Sequence, residues 1–255
     1  MKNTKFRFLK AIITSTCLAV GSANAASVLW ITEHSAIDSD WNTLLTNAGY
    51  TVTGYLNSED NPNPSAPGAP FTVDQLNAFD LIIAASSNDS SGLEQHGSVW
   101  NTVTAPLIHM GAYGVDGGQW NWFGGTANPS GVETTSFDAT DPIFGSIDPT
   151  DTPLFSSNPR IANNTINGGG TILASEDNGI QIARWSAGQV ADGPRAFFAG
   201  NVGNANNPDV RDQLQLTAEG QTVFLNLANE FSGIPEPSTA LLGGLGLLAL
   251  LRRRR

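Results

Sequence analysis

The segment Asp80-Leu81-Ile82-Ile83-Ala84-Ala85-Ser86 constrains the fold most, because it is apolar at every position between its polar ends. An alternating strand would have one wet face; this one needs cover on both, as in the middle of a parallel sheet. Its surroundings carry the same implication. Ser27 to Thr32 reads as a first strand, and Trp41, Leu44, Leu45 and Ala48 fall at helical spacing before Gly49 ends that helix. Tyr50 to Leu56 restores β-type residues, residues 57–70 form a proline-bearing loop, and Thr72 caps a short helix with Val73, Leu76 and Phe79. A helical pattern around Leu93, Val99 and Val103 and a strand from Pro106 to Met110 come next. The order βαβαβαβ predicts an α/β sandwich with right-handed crossovers, whose ligand sites lie at the C-terminal ends of the strands.

Beyond Gly111 the character changes, with Gly, Trp and Asn dominating up to Pro129. Short β-like pieces then alternate with turns: Val132 to Phe137, Thr152 to Phe155, Thr171 to Ala174, Gly179 to Trp185 and Arg195 to Ala199. They predict added antiparallel strands and one further core strand. Leu216-Thr217 opens a last helix whose apolar face is Val223, Phe224, Leu227, Ala228 and Phe231.

The two ends are of another kind. Lys2, Lys5, Arg7 and Lys10 precede the apolar stretch Ala11 to Val20, and Ala23-Asn24-Ala25 places small residues before a cleavage point. This is the pattern of a secretory signal peptide over residues 1–25, handled by the Sec translocon and cut by signal peptidase after Ala25. At the other end, Pro235-Glu236-Pro237-Ser238 leads into the apolar run Thr239 to Leu251 and then Arg252, Arg253, Arg254 and Arg255. That run, at about 1.5 Å per residue, spans roughly 20 Å, short of the ~30 Å hydrocarbon core. Gly243, Gly244 and Gly246 weaken it as a helix, and the arginines hold the terminus on the cytoplasmic side.

Triplet, short span and basic end together resemble the PEP-CTERM sorting signal, here residues 235–255. The resemblance implies an exosortase as partner, transient anchoring in the inner membrane, and a destination at the cell surface or in an extracellular matrix that contains exopolysaccharide. As in other removable C-terminal anchors, the mature protein would keep no membrane helix.

Residues 26–233 are long enough for one globular domain without staples. This body has 22 Asp and Glu against Arg160, Arg184, Arg195 and Arg211, and no lysine. Such a balance argues against nucleic acid as a partner, and against anionic polysaccharide unless a divalent cation bridges. The single cysteine, Cys17, lies in the signal peptide, so the body has neither a disulfide nor a thiol nucleophile.

Several landmarks resemble the class I glutamine-amidotransferase-like fold, in particular its trehalose-utilisation-type members. They are Val28-Leu29-Trp30, Phe79-Asp80-Leu81-Ile82-Ile83, Asp141-Pro142-Ile143-Phe144, Thr171-Ile172-Leu173-Ala174, Gly193-Pro194-Arg195-Ala196-Phe197-Phe198 and Leu216-Thr217-x-x-Gly220. Covering Ser27 to Phe231, the resemblance implies a flavodoxin-like three-layer α/β/α sandwich with a mostly parallel sheet and added antiparallel strands. N- and C-terminal hydrophobic helices would flank it. The family's thiol chemistry does not carry over. Where its cysteine stands, this chain reads Leu107-Ile108-His109-Met110-Gly111-Ala112, and Gly200-Asn201 replaces the Gly-His pair of the trehalose-utilisation type.

Glu33 and His34 after the first strand, Ser86 after the third and His109 on the fourth are the residues that a strand-end crevice would bring together. A serine nucleophile with a histidine base would make an envelope hydrolase or carbohydrate-active enzyme. No Gly-x-Ser-x-Gly elbow is present, and Ser, Asn and Asp after a strand ordinarily serve turns and caps. The body therefore reads as non-catalytic, with the hydrolase as the alternative. His34, His96 and His109 lack zinc-ligand spacing, and no cofactor is expected apart from the option of Ca²⁺ in the loop carrying Asp138, Asp141, Asp148 and Asp151. Trp120 and Trp122, in a glycine-rich loop, are either a platform for a carbohydrate ring or aromatics buried over the sheet.

Overall fold

The computed structural model describes residues 25–32, 37–56, 63–66, 69–86, 93–125, 128–129, 131–201 and 213–233. The expected hydrophobic flanking helices lie outside the described residues, and among those described no helix is long and apolar enough to cross a membrane.

The N-terminal half follows the alternation read from the sequence. Its strands are β1 (Ser27–Thr32), β2 (Thr51–Leu56), β3 (Leu81–Ala84) and β4 (Leu107–His109). Between them stand α1 (Ser39–Asn47), α2 (Val73–Leu76) and α3 (Gly97–Trp100). Asp38 starts α1 by accepting the N–H groups of Asp40 and Trp41, and Thr72 starts α2 in a reciprocal capping box with Gln75. The helical pattern at Leu93, Val99 and Val103 is only partly realised: Leu93–His96 is a 3-10 turn, α3 is a single turn, and Val103 packs beyond it.

The later strands are β5 (Asn128–Pro129), β6 (Ser136–Phe137), β7 (Pro159–Ile161), β8 (Thr171–Glu176), β9 (Gly179–Trp185), β10 (Arg195–Phe198) and β11 (Gly200–Asn201), followed by the helix α4 (Ala218–Ser232). One eight-stranded sheet runs β2-β1-β3-β4-β10-β9-β8-β6, and β11-β7-β5 form a small second sheet. The pairs from β2 to β10 are parallel, and those from β10 to β6 are antiparallel. The parallel part thus has the doubly wound order that reverses between β1 and β3. Thr152 to Phe155 departs from the reading as a strand; only Phe155 bridges, to Leu216. The second sheet was not foreseen, because its strands are two or three residues long and two of them contain proline.

Register decides which side chains share a face. Ile31, Ala84, His109 and Phe197 are successive partners across β1, β3, β4 and β10, and point one way; Trp30, Ile83, Ile108 and Ala196 point the other. On the second face Trp30 meets Trp41 of α1, Trp41 meets Phe224 of α4, and Phe224 meets Phe198. Helices α1 and α4 therefore cover one side. Arg184 of β9 reaches the same side and binds the carboxylates of Asp141, at 2.6 Å, and Glu230, at 2.8 Å, tying the 138–151 loop to α4. Asn226 adds a bond to the carbonyl of Ile143.

Helix α4 crosses the chain at Leu154 so closely that a Cβ on Gly220 would stand 1.9 Å from that residue's carbonyl oxygen. Gly220→Ala should therefore destabilise the domain by about 2 kcal/mol, an overpacking effect measurable as a lower denaturant midpoint at unchanged slope.

Candidate functional site

In a doubly wound sheet the site belongs at the C-terminal ends of the parallel strands. Here β3 delivers Ala85 and Ser86, β4 delivers Met110, and β10 delivers Ala199 and Gly200. Glu33 and His34, which follow β1, lie outside the described residues. The strand ends are drawn tightly together. Gly200 donates to the carbonyl of Met110 at 3.0 Å, and a Cβ added to it would be 2.3 Å from Cβ of Ser86. With Trp30, Phe155 and Leu216 these residues enclose a void of about 10 Å³, room for one water at most.

His109 does not face this void. It is fully buried on the opposite side of the sheet, its ring 4.9 Å from that of Trp120 and 6.0 Å from that of Trp122, both nearly perpendicular. Its Nδ1 accepts the Gly111 N–H at 3.0 Å, so the proton of the neutral ring sits on Nε2, which has no hydrogen-bond partner among the described residues. Burial lowers its pKa to about 3. Neither nitrogen bonds to Ser86, so the Ser86–His109 pairing of the hydrolase reading is not formed. Register explains the separation: His109 projects from β4 to the face opposite Trp30, whereas Trp30 is a wall of the void beside Ser86.

Of the two readings of the tryptophan loop, the structure has the buried one. Trp120 and Trp122 are 2% and 0% exposed, and Trp120 stacks on Trp100 at 15° while Trp122 abuts Trp185. Phe123 bridges Trp185 and Phe197. The glycine-rich loop is folded down over the sheet, and neither indole offers an open face to a sugar ring. Burying several large aromatics there compensates for the single turn of α3, which leaves much of this face uncovered by helix.

The acidic loop is used piecemeal. Asp138 and Asp148 each accept both the N–H and the hydroxyl of the threonine two residues on, Thr140 and Thr150, and those bonds hold both carboxyls below the usual carboxylate range. Asp141 is committed to Arg184. Among the described residues no three acidic, histidine or cysteine side chains gather as a metal cage.

Two buried polar features escaped sequence reasoning. Arg195, 0% exposed, donates to the backbone carbonyls of Trp100, Val103 and Ala105, locking the α3–β4 connection to β10. Tyr50 is largely buried, and its hydroxyl bonds to Asn229 and Ser232 at the end of α4. The signal for Arg195 was an arginine opening a run of Ala, Phe, Phe and Ala with no acidic residue among them.

Comparison with known proteins bears on one end of the chain and on the fold of the rest. Residues 233–255 match the PEP-CTERM protein-sorting motif. That motif implies export, cell-surface sorting and an exosortase as processing partner. No curated protein matches the chain in sequence. A solved cytoplasmic protein from Salmonella typhimurium superposes with a TM-score of 0.50 at 13% identity, covering 80% of this chain and 98% of that one. The likeness is one of fold alone. Another structural neighbour, a GMP synthase component from Thermoplasma acidophilum, has 13% identity, coverage of 82% and 94% and a TM-score of 0.49. A ThuA-like protein from Parabacteroides merdae has 9% identity, coverage of 82% and 90% and a TM-score of 0.49.

Proposed function

We propose that this is an exported bacterial protein whose amidotransferase-like body is a non-catalytic component of the cell surface or extracellular matrix. Its C-terminal signal anchors it transiently in the inner membrane until an exosortase removes the tail. The observation that carries this reading is the sorting motif over residues 233–255, which begins at the residue where α4 ends. The basic, apolar and small-residue pattern of residues 1–25 supports export from the other end.

The non-catalytic part of the reading draws on the strand ends. Their contacts leave a space suited to a water molecule, His109 is committed to Gly111 on the far face, and the body has no cysteine. The reading also includes a three-layer arrangement, with α1 and α4 over one face of the sheet and, over the other, the aromatic loop in place of much of the second helical layer. A matrix role suits an acidic, lysine-free body that repels its own copies and remains dispersed.

The test is the intact mass of the protein recovered from its native host, in envelope and medium separately. A species beginning at Ala26 and ending within Pro235 to Ser238 is the expected result. Retention of Arg255 in every fraction would overturn processing and make the protein a tethered one.

A further inference from the structure

The beginning and the end of the body leave from one place. The carbonyl of Ala26 accepts the N–H of Thr51 at 2.9 Å, so the mature N-terminus is paired to the start of β2. The preceding residue, Tyr50, sends its hydroxyl to Asn229 at 2.8 Å and Ser232 at 3.1 Å, in the last turn of α4. Ser27 is further fixed by Asp80, whose carboxylate accepts its N–H at 2.7 Å and its hydroxyl at 2.8 Å. Both termini are thereby held at the N-terminal edge of the parallel strands, opposite the edge that carries Ser86 and Gly200.

Helix α4 stops at Gly233, in the left-handed conformation at φ +68°, and one residue, Ile234, separates it from Pro235. Two extended steps reach about 7 Å, less than the ~10 Å width of a single helix. A protein that closes around Pro235-Glu236-Pro237 while α4 stays folded has no room to avoid the body.

We infer that the N-terminal edge of the sheet, formed by Gly49, Thr51, Ala78 and Asp80 beside the end of α4, is a docking surface for the membrane enzyme that processes the tail. The inference rests on the sorting reading above. All four residues are exposed. The occupant is set by the length of chain between the surface and the motif, since an enzyme that engages the whole triplet must hold Pro235. A second consequence is orientation: the anchored precursor presents this edge to the membrane and the strand-end void to the outside.

The experiment follows tail removal in the native host by pulse-chase of the full-length precursor. Thr51→Arg with Ala78→Arg adds bulk and charge at two exposed positions; a second pair of precursors carries a ten-residue Gly-Ser spacer between Gly233 and Ile234, with and without those arginines. Such a spacer has a root-mean-square reach of roughly 18 Å. At native spacing the arginines should slow cleavage about tenfold, equivalent to the loss of one good interface contact. With the spacer, the arginine variant should be cut within about twofold of its spacer control, a residual below 0.5 kcal/mol. Cleavage indifferent to the arginines at native spacing overturns the proposal while leaving the sorting reading intact. Slowing that persists with the spacer also overturns it, since the defect then lies in folding. A wild-type precursor that keeps its tail throughout the chase overturns the sorting reading and the proposal with it.

Discussion

Lowering the pH from 6.5 to about 3 should remove about 4 kcal/mol of folding stability through His109 alone. The folded state holds this imidazole neutral, with burial lowering its pKa from 6.5 to about 3, whereas the unfolded chain takes up the proton near 6.5. The contribution is therefore fully present above pH 6.5 and is lost as the pH falls towards the folded value. Protonation would place a hydrogen on Nδ1, where Gly111 already points its N–H, and would leave a charge among Trp120 and Trp122. Denaturant unfolding at a series of pH values checks this, with His109→Asn as the control because its side-chain oxygen can take the place of Nδ1. The variant should lose much less stability than the wild type over that range. Equal losses would place the acid sensitivity elsewhere, in carboxyls such as Asp138 and Asp148.

Arg195→Met should cost about 4 kcal/mol, the second large effect. Removing the guanidinium strands two buried carbonyls, those of Val103 and Ala105, at about 1–3 kcal/mol each, and leaves that of Trp100 with the N–H of Val103 alone; the loss is partly offset because an apolar side chain has no charge to desolvate. That offset is real, since burial lowers the pKa of Arg195 to about 10. Arg195→Lys should recover little, because one ammonium cannot fork to three diverging carbonyls. Thermal unfolding of the two variants and the wild type measures the order; a methionine variant as stable as the wild type would show that those carbonyls find other donors.

What the sequence disclosed was what periodicity encodes. The run at Leu81 to Ala84 is buried at every position, as a strand apolar on both sides must be, and the helix at Val223 to Phe231 turns its apolar face inward. The 93–103 region read less well, because two turns of different pitch there share one apolar spacing. Site geometry was legible only as proximity along the chain. Ser86 and His109 both follow or end core strands, yet a strand's alternation of faces, which depends on register, puts the imidazole among indoles. For Trp120 and Trp122 the residues alone allowed an open or a covered loop, and the decision came from how little helix covers that face. Asp138 and Asp148, by contrast, carried a local signal in their paired Asp-x-Thr spacing, which the structure uses for turns.

The place of β10 has a kinetic meaning. It joins the parallel and antiparallel halves by pairing Arg195 with Leu107 on one side and with Trp185 on the other, and its Phe198 waits for Phe224 of α4. Residues 108 to 194 must be looped out before that first pairing forms, an entropic toll that makes the central closure slow. A chain threaded through a membrane N-terminus first thus presents β1 to β4 without the strand and helix that complete them. Late closure keeps the emerging chain loose and gives it a single native outcome only after α4 has come through, when the next residues to arrive are those of the sorting motif.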